Sequence, residues 1–499
     1  MAAERDLVLS IDCGTQSIRG FLFEKSGELL LKESMEIGEY ASEVPGQAEI
    51  DPDRFRQAIA SVSRNIRAKR PELFDRIAGL TISCMRECMI LADEAGEAIR
   101  PCIVWLDRRK TSVVRPRNPI LRNLLRLAGV HSMATKSAQV SYSNWLQDNE
   151  PENWAKAYKF LCLSAYLNRW LCGRFVDTAS AQAGHVAFNS KKFDWSNPLD
   201  IKYYLFPLDK KKAVEIAEPG EILGTLTERA ARETGLDPSV KVIACASDKA
   251  CETLGCGCAD DKVAVLSFGS QTTIQTTIHR YYEVEPLVPS FAAAVPRCWN
   301  AEQQIYRGFW MVRWFIHNLG LQTVREDDDS ETVMEEYITA TPPGSDGLII
   351  YPYWGACVKR PDSTGAMVGF KDYHTRAHIY RAMLEGIGYT LREAMLIMEK
   401  KKGSPMEYLI ASGGGSQSQV ICQMMASIMN RPVVRMQMYE ATGLGAAITG
   451  YVALGTYETF EAAAAAMTKV EERFEPESED AEKYRGLYKK YMKKKKASY

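Results

Sequence analysis

No stretch of the chain approaches the ~18 consecutive apolar residues of a membrane-spanning helix. Its start, Met-Ala-Ala-Glu-Arg-Asp, carries no apolar signal core. A soluble, cytoplasmic protein is expected. Neither sign of charge is in surplus, since 62 Lys and Arg stand against 63 Asp and Glu, so no global field draws the chain to nucleic acid or to an acidic membrane. A cysteine framework is missing too: the 13 cysteines follow no regular spacing, and an odd count in a long chain fits reduced thiols rather than disulfides. Three familiar nucleotide-binding signatures are absent: the G-x-x-x-x-G-K-[ST] loop, a G-x-G-x-x-G after the first strand, and the H-R-D and D-F-G motifs of protein kinases.

What is present suffices for a large buried core. A length of 499 residues with a 46% hydrophobic share corresponds to roughly two to four domains. The most informative stretch is Ile11-Asp12-Cys13-Gly14-Thr15-Gln16-Ser17-Ile18-Arg19. Apolar runs on either side, Leu7 to Ile11 and Gly20 to Phe23, make it the turn of a buried hairpin. Gly14 has no side chain to keep a ligand from the backbone, and successive N–H groups in such a turn suit phosphate oxygens. Asp12 would repel those oxygens unless a divalent cation lay between them, and Mg2+ typically takes one or two carboxylates plus substrate phosphates.

Further along, Leu29 to Leu31 reads as a third strand, Asp51-Pro52 as a helix start leading through Phe55 to Ile66, and Ile77 to Ile82 as a buried strand delivering Met85-Arg86-Glu87. The piece from 109 to 236 reads as mostly helical. Val242 to Cys245 is a strand ending in Ser247-Asp248, with a helix to Gly255. The plan then repeats. Val263 to Phe268 is a strand, Gly269-Ser270-Gln271-Thr272 a polar turn, and Ile274 to Ile278 a second strand, so Gly269 stands 255 residues after Gly14. A repeat at half the chain length implies two domains of similar core, each presenting a phosphate-sized turn, here 1–257 and 258–499. The acidic run Glu326 to Asp329 and the Lys-rich tail from Ala481 read as solvated faces. Gly413-Gly414-Gly415 before a helix over Gln419 to Met429 could meet a nucleotide through bare N–H groups, although a packing turn accounts for the same glycines. Glu440 to Gly445 reads as a second Gly-rich turn that opens a further helix.

Asp248 ends a buried strand and can accept a hydroxyl proton in phosphoryl transfer; capping the following helix is the alternative. Arg86, Glu87 and Asp107 offer charged hydrogen-bonding groups for vicinal hydroxyls, and Trp105 an indole face for a C–H surface. Irregular spacing speaks against zinc at Cys251, Cys256 and Cys258. His374 and His378 lack the intervening glutamate of a metalloprotease helix, and His378 reads as a helix-start residue.

These elements together resemble the FGGY family of carbohydrate kinases over nearly the whole chain. Asp12 to Arg19 is similar to the family's first phosphate loop, Trp105 to Arg108 to its sugar-contacting turn, and Ser247-Asp248 to its catalytic base. Gly365-Ala366-Met367-Val368-Gly369-Phe370, followed after seven residues by His378 to Glu385, resembles its C-terminal signature. The resemblance implies an α/β fold of two actin-like, ribonuclease H-like ATPase domains with the active site in an interdomain cleft, and transfer of the γ-phosphoryl group of Mg-ATP to a small sugar or polyol. It implies Asp248 as base, Asp12 on the metal, and Gly14, Thr15, Gln16, Ser17, Arg19, Gly269, Ser270, Gly413, Gly414, Gly415 and Ser418 on the nucleotide. Arg86, Glu87, Trp105, Asp107 and Lys249 would then meet the acceptor. Assembly as a homodimer is left open. The rival class is an actin-like ATPase that senses or hydrolyses ATP without an acceptor.

The chain also departs from the family pattern. Tyr142 stands where the family has a lysine three residues before Trp145, and Lys249 replaces a usual glutamine or asparagine. Cys84-Met85-Arg86-Glu87 replaces the Gln-Met-His-Gly common in members acting on xylulose. Its Arg-Glu pair looks instead like glycerol and autoinducer-2 kinases. The tyrosine of glycerol kinases falls near Ser137 by spacing.

Overall fold

The run Leu-Val-Leu-Ser-Ile-Asp-Cys is buried at every position and forms strand β1, Leu7–Cys13, inside the first sheet. Such a two-sided apolar run needs neighbours on both flanks and cover on both faces. A computed structural model describes residues 5–41, 44–112, 119–285, 288–319, 335–354 and 364–498. The acidic run at 326–329 lies outside the described residues. The chain forms two units: Met1–Gly257, Phe291–Trp299 and Glu440–Met467 make the first, and Cys258–Ser290, Asn300–Tyr439 and Thr468–Tyr499 the second.

In the first unit β1 pairs antiparallel with β2 (Ser17–Phe23), which pairs with β3 (Leu29–Glu36). On its other flank β1 runs parallel to β4 (Ile77–Cys84), and the sheet continues through β6 (Lys241–Ile243) to β5 (Ile222–Thr225). Helix α1 (Asp53–Lys69) buries Phe55, Ile59, Val62 and Ile66, a stripe of helical period. Gly20 in β2 admits it, because a Cβ there would lie 2.4 Å from Val62 Cγ1. Parallel delivery of β4 and β6 brings Arg86, Glu87 and the start of helix α2 (Asp248–Gly255) to one edge of the sheet, beyond the carboxyl ends of the strands, where α/β sheets bind ligands.

The second unit repeats the plan. Strand β7 (Val263–Phe268) pairs antiparallel with β8 (Thr272–Ile278) and parallel with β9 (Tyr408–Ser412), followed by β10 (Val433–Met436) and β11 (Val470–Phe474). Helix α3 (Gly308–Leu319) starts against the β7–β8 turn, and α4 (Gln419–Met429) follows β9. His378 sits in a capping box with Thr375 at the start of the helix Arg376–Lys402, as expected for a helix-start residue.

Two expectations fail. The piece from 109 to 236 is not mostly helical: six short strands lie between Lys159 and Thr225. Apolar runs as short as Lys159–Cys162 fit a strand or a helical turn equally well by periodicity. Glu440 to Gly445 opens a helix as expected but is not a turn ahead of it, since Gly443 and Gly445 lie within helix α5 (Ala441–Ala453). Their role is close approach: a Cβ on Gly445 would lie 1.9 Å from the Cys251 carbonyl oxygen, and one on Gly255 would lie 1.8 Å from that of Ala441. The backbones of α2 and α5 therefore touch, which fixes α2 from behind.

Candidate active site

The β1–β2 turn closes over Gly14 to Gln16, with the Gly14 N–H donating to the Ser17 carbonyl at 3.1 Å. Asp12 and Arg19 are thus strand residues facing each other across the ladder. Arg19 donates to the Asp12 carboxylate at 2.6 Å and, with its other nitrogen, to Glu440 at 3.2 Å. Lys32 also pairs with Glu440. Asp12 is 3% exposed. Burial pushes its carboxyl up to about 6 against the pull of Arg19, with repulsion from Asp248 and Glu440 adding to the rise. Among the described residues no cluster of three or more His, Cys, Asp or Glu side chains could hold a metal ion. One incompletely compensated carboxylate beside a phosphate-sized turn does suit a Mg2+ ion that takes its other ligands from phosphates and water.

Asp248 opens α2. Burial raises its carboxyl, while Arg86 and Lys249 pull it the other way. The Lys249 N–H donates to the Asp248 carboxylate at 2.7 Å, and the Lys249 ammonium pairs with Glu252 one turn on, at 2.7 Å. Ser247 precedes the helix, yet its hydroxyl makes no cap.

Arg86 lies over the Phe291 ring at 5.3 Å. Glu87 adopts a left-handed conformation, φ 57°, unusual for a residue with a side chain. Its Oε1 accepts from the His185 backbone N–H at 2.9 Å and lies 2.6 Å from the ring Nδ1. Burial opposes ionisation of Glu87, but His185 and Arg86 outweigh it and bring the carboxyl down to about 2. Trp105 is 43% exposed, and its indole N–H donates to the Thr15 hydroxyl at 3.0 Å, which ties the aromatic face to the β1–β2 turn. Tyr142 holds the Trp105 loop, its hydroxyl lying 3.1 Å from the carbonyls of Val104 and Asp107.

Asp107 differs from expectation. Its two oxygens accept from Arg109 Nε and Nη2 at 2.9 and 2.7 Å and from the Ala48 N–H at 2.7 Å, so this carboxylate stiffens the turn instead of facing an acceptor. Ser418 likewise caps α4, accepting from the Ile421 N–H at 3.1 Å, and donates to Glu335 at 2.5 Å.

In the second unit the Gly269 and Ser270 carbonyls accept from the Phe309 and Trp310 N–H groups at 3.3 and 3.4 Å, and Arg313 bonds the Ser270 hydroxyl. The three glycines after β9 divide the two accounts between them. A Cβ on Gly413 would lie 3.0 Å from the Phe268 backbone, and one on Gly415 would lie 2.2 Å from the Phe309 ring. Only Gly414 opens on clear space. Sequence reasoning missed His185, which meets Glu87, Glu440, which meets Arg19 and Lys32, and Thr178 and Ser180, which bond the Cys245 carbonyl and the Ser247 N–H ahead of Asp248. The run of small residues from Thr178 to Gly184, with two hydroxyls and a closing glycine, was a loop signal inside a piece read as helical.

A hairpin-led sheet in each unit, with a buried aspartate opening a helix beside the first hairpin, defines a two-domain actin-like ATPase fold. Solved structures share it. A xylulose kinase from Rhodospirillum rubrum superposes with a TM-score of 0.84 at 21% identity, over 97% of each chain. A Plasmodium falciparum glycerol kinase with ADP gives 0.78 at 17% identity, over 98% of each chain. The sequence matches the N-terminal domain of the FGGY family of carbohydrate kinases over residues 7–255 and the C-terminal domain over 265–454, so the chain belongs to that family. It is therefore an ATP-dependent phosphotransferase with an alcohol group of a small sugar-like molecule as acceptor. Curated relatives include a xylulose kinase from Lactococcus lactis, 28% identical over 96% of this chain and 95% of that protein, and a gluconokinase from Bacillus subtilis, 27% identical over 96% and 94%. Among the described residues no helix is long and apolar enough to cross a membrane.

Proposed function

We propose that this kinase transfers the γ-phosphoryl group of ATP to a hydroxyl of a small ketose, polyol or aldonate, with Asp248 as general base and Asp12 as the residue that would hold Mg2+. The observation that carries the reading is that two buried carboxylates stand at neighbouring strand ends: Cys13, next to Asp12, pairs with Cys84, and Cys84 bridges Ser247, next to Asp248. Asp248 accepts the acceptor's proton as its oxygen attacks phosphorus; burial raises that carboxyl, which favours proton uptake, and Arg86 and Lys249 temper the rise. Arg86, Glu87 and the exposed face of Trp105 orient the acceptor. The N–H groups of Thr15 and Gln16, left open by the bare Gly14, together with the Ser17 hydroxyl and Arg19 bind phosphate oxygens, and Gly269, Ser270 and Gly414 meet the nucleotide. Bound Mg2+ would offset the negative charge between Asp12 and those oxygens.

The relatives named for xylulose and for gluconate define the first acceptors to try. ADP release with Mg-ATP is measured with D-xylulose, D-gluconate, glycerol and erythritol, each against a blank without acceptor. Strong stimulation by one compound is expected, and equal rates throughout would overturn the reading. Asp248→Asn should lower turnover by about 10³-fold or more while leaving ATP binding intact.

A further inference from the structure

One segment, residues 177–185, reaches both the base and the acceptor-orienting carboxylate, and none of its side chains belongs to the chemistry assigned above. Its first six residues are tied into a loop: the buried Asp177 carboxylate accepts from the Ser164 hydroxyl at 2.7 Å, the Thr178 N–H at 2.9 Å and the Gln182 side chain at 2.8 Å. Between these anchors, two hydroxyls grip the turn that carries Asp248. Thr178 donates to the Cys245 carbonyl at 2.9 Å, and the Ser180 hydroxyl accepts the Ser247 N–H at 3.2 Å. Ser180 and Ser247 hydroxyls also lie 3.2 Å apart. A serine at an N-cap ordinarily turns its hydroxyl onto its own helix. Here the Ser247 hydroxyl is held by Ser180 instead, and Asp248 receives the Lys249 N–H.

At the far end of the segment, Gly184 has φ +89°, and a Cβ on it would lie 2.2 Å from Glu87 Oε1. Lys202 donates to the Gly184 carbonyl at 3.0 Å, and the His185 ring packs edge-on against Phe206 at 5.7 Å. His185 is thereby fixed where both its N–H and its Nδ1 meet one oxygen of Glu87. That contact sets the side-chain torsion of a residue already in a left-handed backbone.

We infer that Ser180 and His185 are positioning residues on one rigid segment, Ser180 fixing the turn that aims Asp248 and His185 fixing the rotamer of Glu87 that orients the acceptor. The inference rests on the proposed role of Asp248 as base. It predicts separate kinetic signatures, because one residue acts on the proton-accepting group and the other on ground-state orientation.

The test uses full-length enzyme, Mg-ATP and whichever acceptor of the panel above gives the highest rate. Ser180→Ala should lower kcat by roughly 10- to 100-fold with the acceptor KM unchanged, and Ser180→Thr should restore most of it. His185→Ala should raise the acceptor KM by about tenfold with kcat and the KM for ATP nearly unchanged, and His185→Asn, whose amide N–H can replace Nδ1, should recover it. Unchanged melting temperatures separate positioning from general unfolding. Wild-type kcat in Ser180→Ala, or kcat and KM falling in step with stability in both alanine variants, would overturn the inference. Normal turnover in Asp248→Asn would instead remove the base assignment beneath it.

Discussion

Aligned on their glycines, the two hairpins place Asp12 opposite Arg19 in the first unit and Ser267 opposite Thr273 in the second. Both tips read Gly, hydroxyl, Gln, hydroxyl: Gly14 to Ser17 and Gly269 to Thr272. The second closes one residue tighter, with Phe268 paired to Thr272 where Cys13 pairs to Ile18. Each has an arginine, yet Arg19 comes from the hairpin itself and Arg313 from the helix packed against the turn. The same backbone device therefore serves with and without a buried acid. The charge pair of the first hairpin is an addition whose use has to be explained, and holding a cation is the use proposed here.

The sharpest way to break this contrast is Asp12→Asn. Turnover should fall by about 10²- to 10³-fold, read from ADP release at saturating Mg-ATP. Stability should move the other way. The folded carboxyl titrates near 6 against an ordinary 3.8, so the folded state prefers the protonated form. Ionisation then costs nothing below about pH 4, and the full penalty is present above about pH 6. The variant should gain about 3 kcal/mol in urea unfolding at pH 8, and the gain should vanish as pH falls towards 4.

The reciprocal change, Ser267→Asp, buries a carboxylate at a site 3% exposed with a threonine hydroxyl across the ladder instead of a guanidinium. A loss of about 2–4 kcal/mol is expected in the same assay. Tolerance of that acid would show that the two tips are interchangeable. Smaller effects should follow from the arginines. Arg19→Ala and Arg313→Ala should each raise the KM for ATP by about 3- to 10-fold. Arg19→Ala should also raise the Asp12 carboxyl further, shifting the acid limb of the pH–rate profile upward, which Arg313→Ala should not do.

Legibility in the sequence followed the length of the signal. The hairpins, the strand before Asp248 and the helix at Gln419 to Met429 were readable because each is an apolar run bounded by turn residues. The strands between Lys159 and Thr225 were not, being too short to show a period. At the site, residues that belong to compact motifs stood out. Asp107 was misjudged because its spacing next to Trp105 says nothing of Arg109 closing on it. Thr178, Ser180 and His185 stayed hidden because they act across 67 and 98 residues of sequence, through hydroxyls and a ring that look unremarkable where they stand.

Helix α5 has a consequence in time. It supports α2 from behind, and its glycines admit the contact, but it belongs to the last segment of the first unit to leave the ribosome, Glu440–Met467. Between Gly257 and Ala453 lie most of the residues of the second unit. At ordinary rates of synthesis this takes about 10–40 s, during which the helix that starts with Asp248 lacks its backing. The helix that opens with Asp248 thus gains its rigid mounting only near the end of translation, and a chain interrupted after its first half would carry that aspartate without the means to aim it.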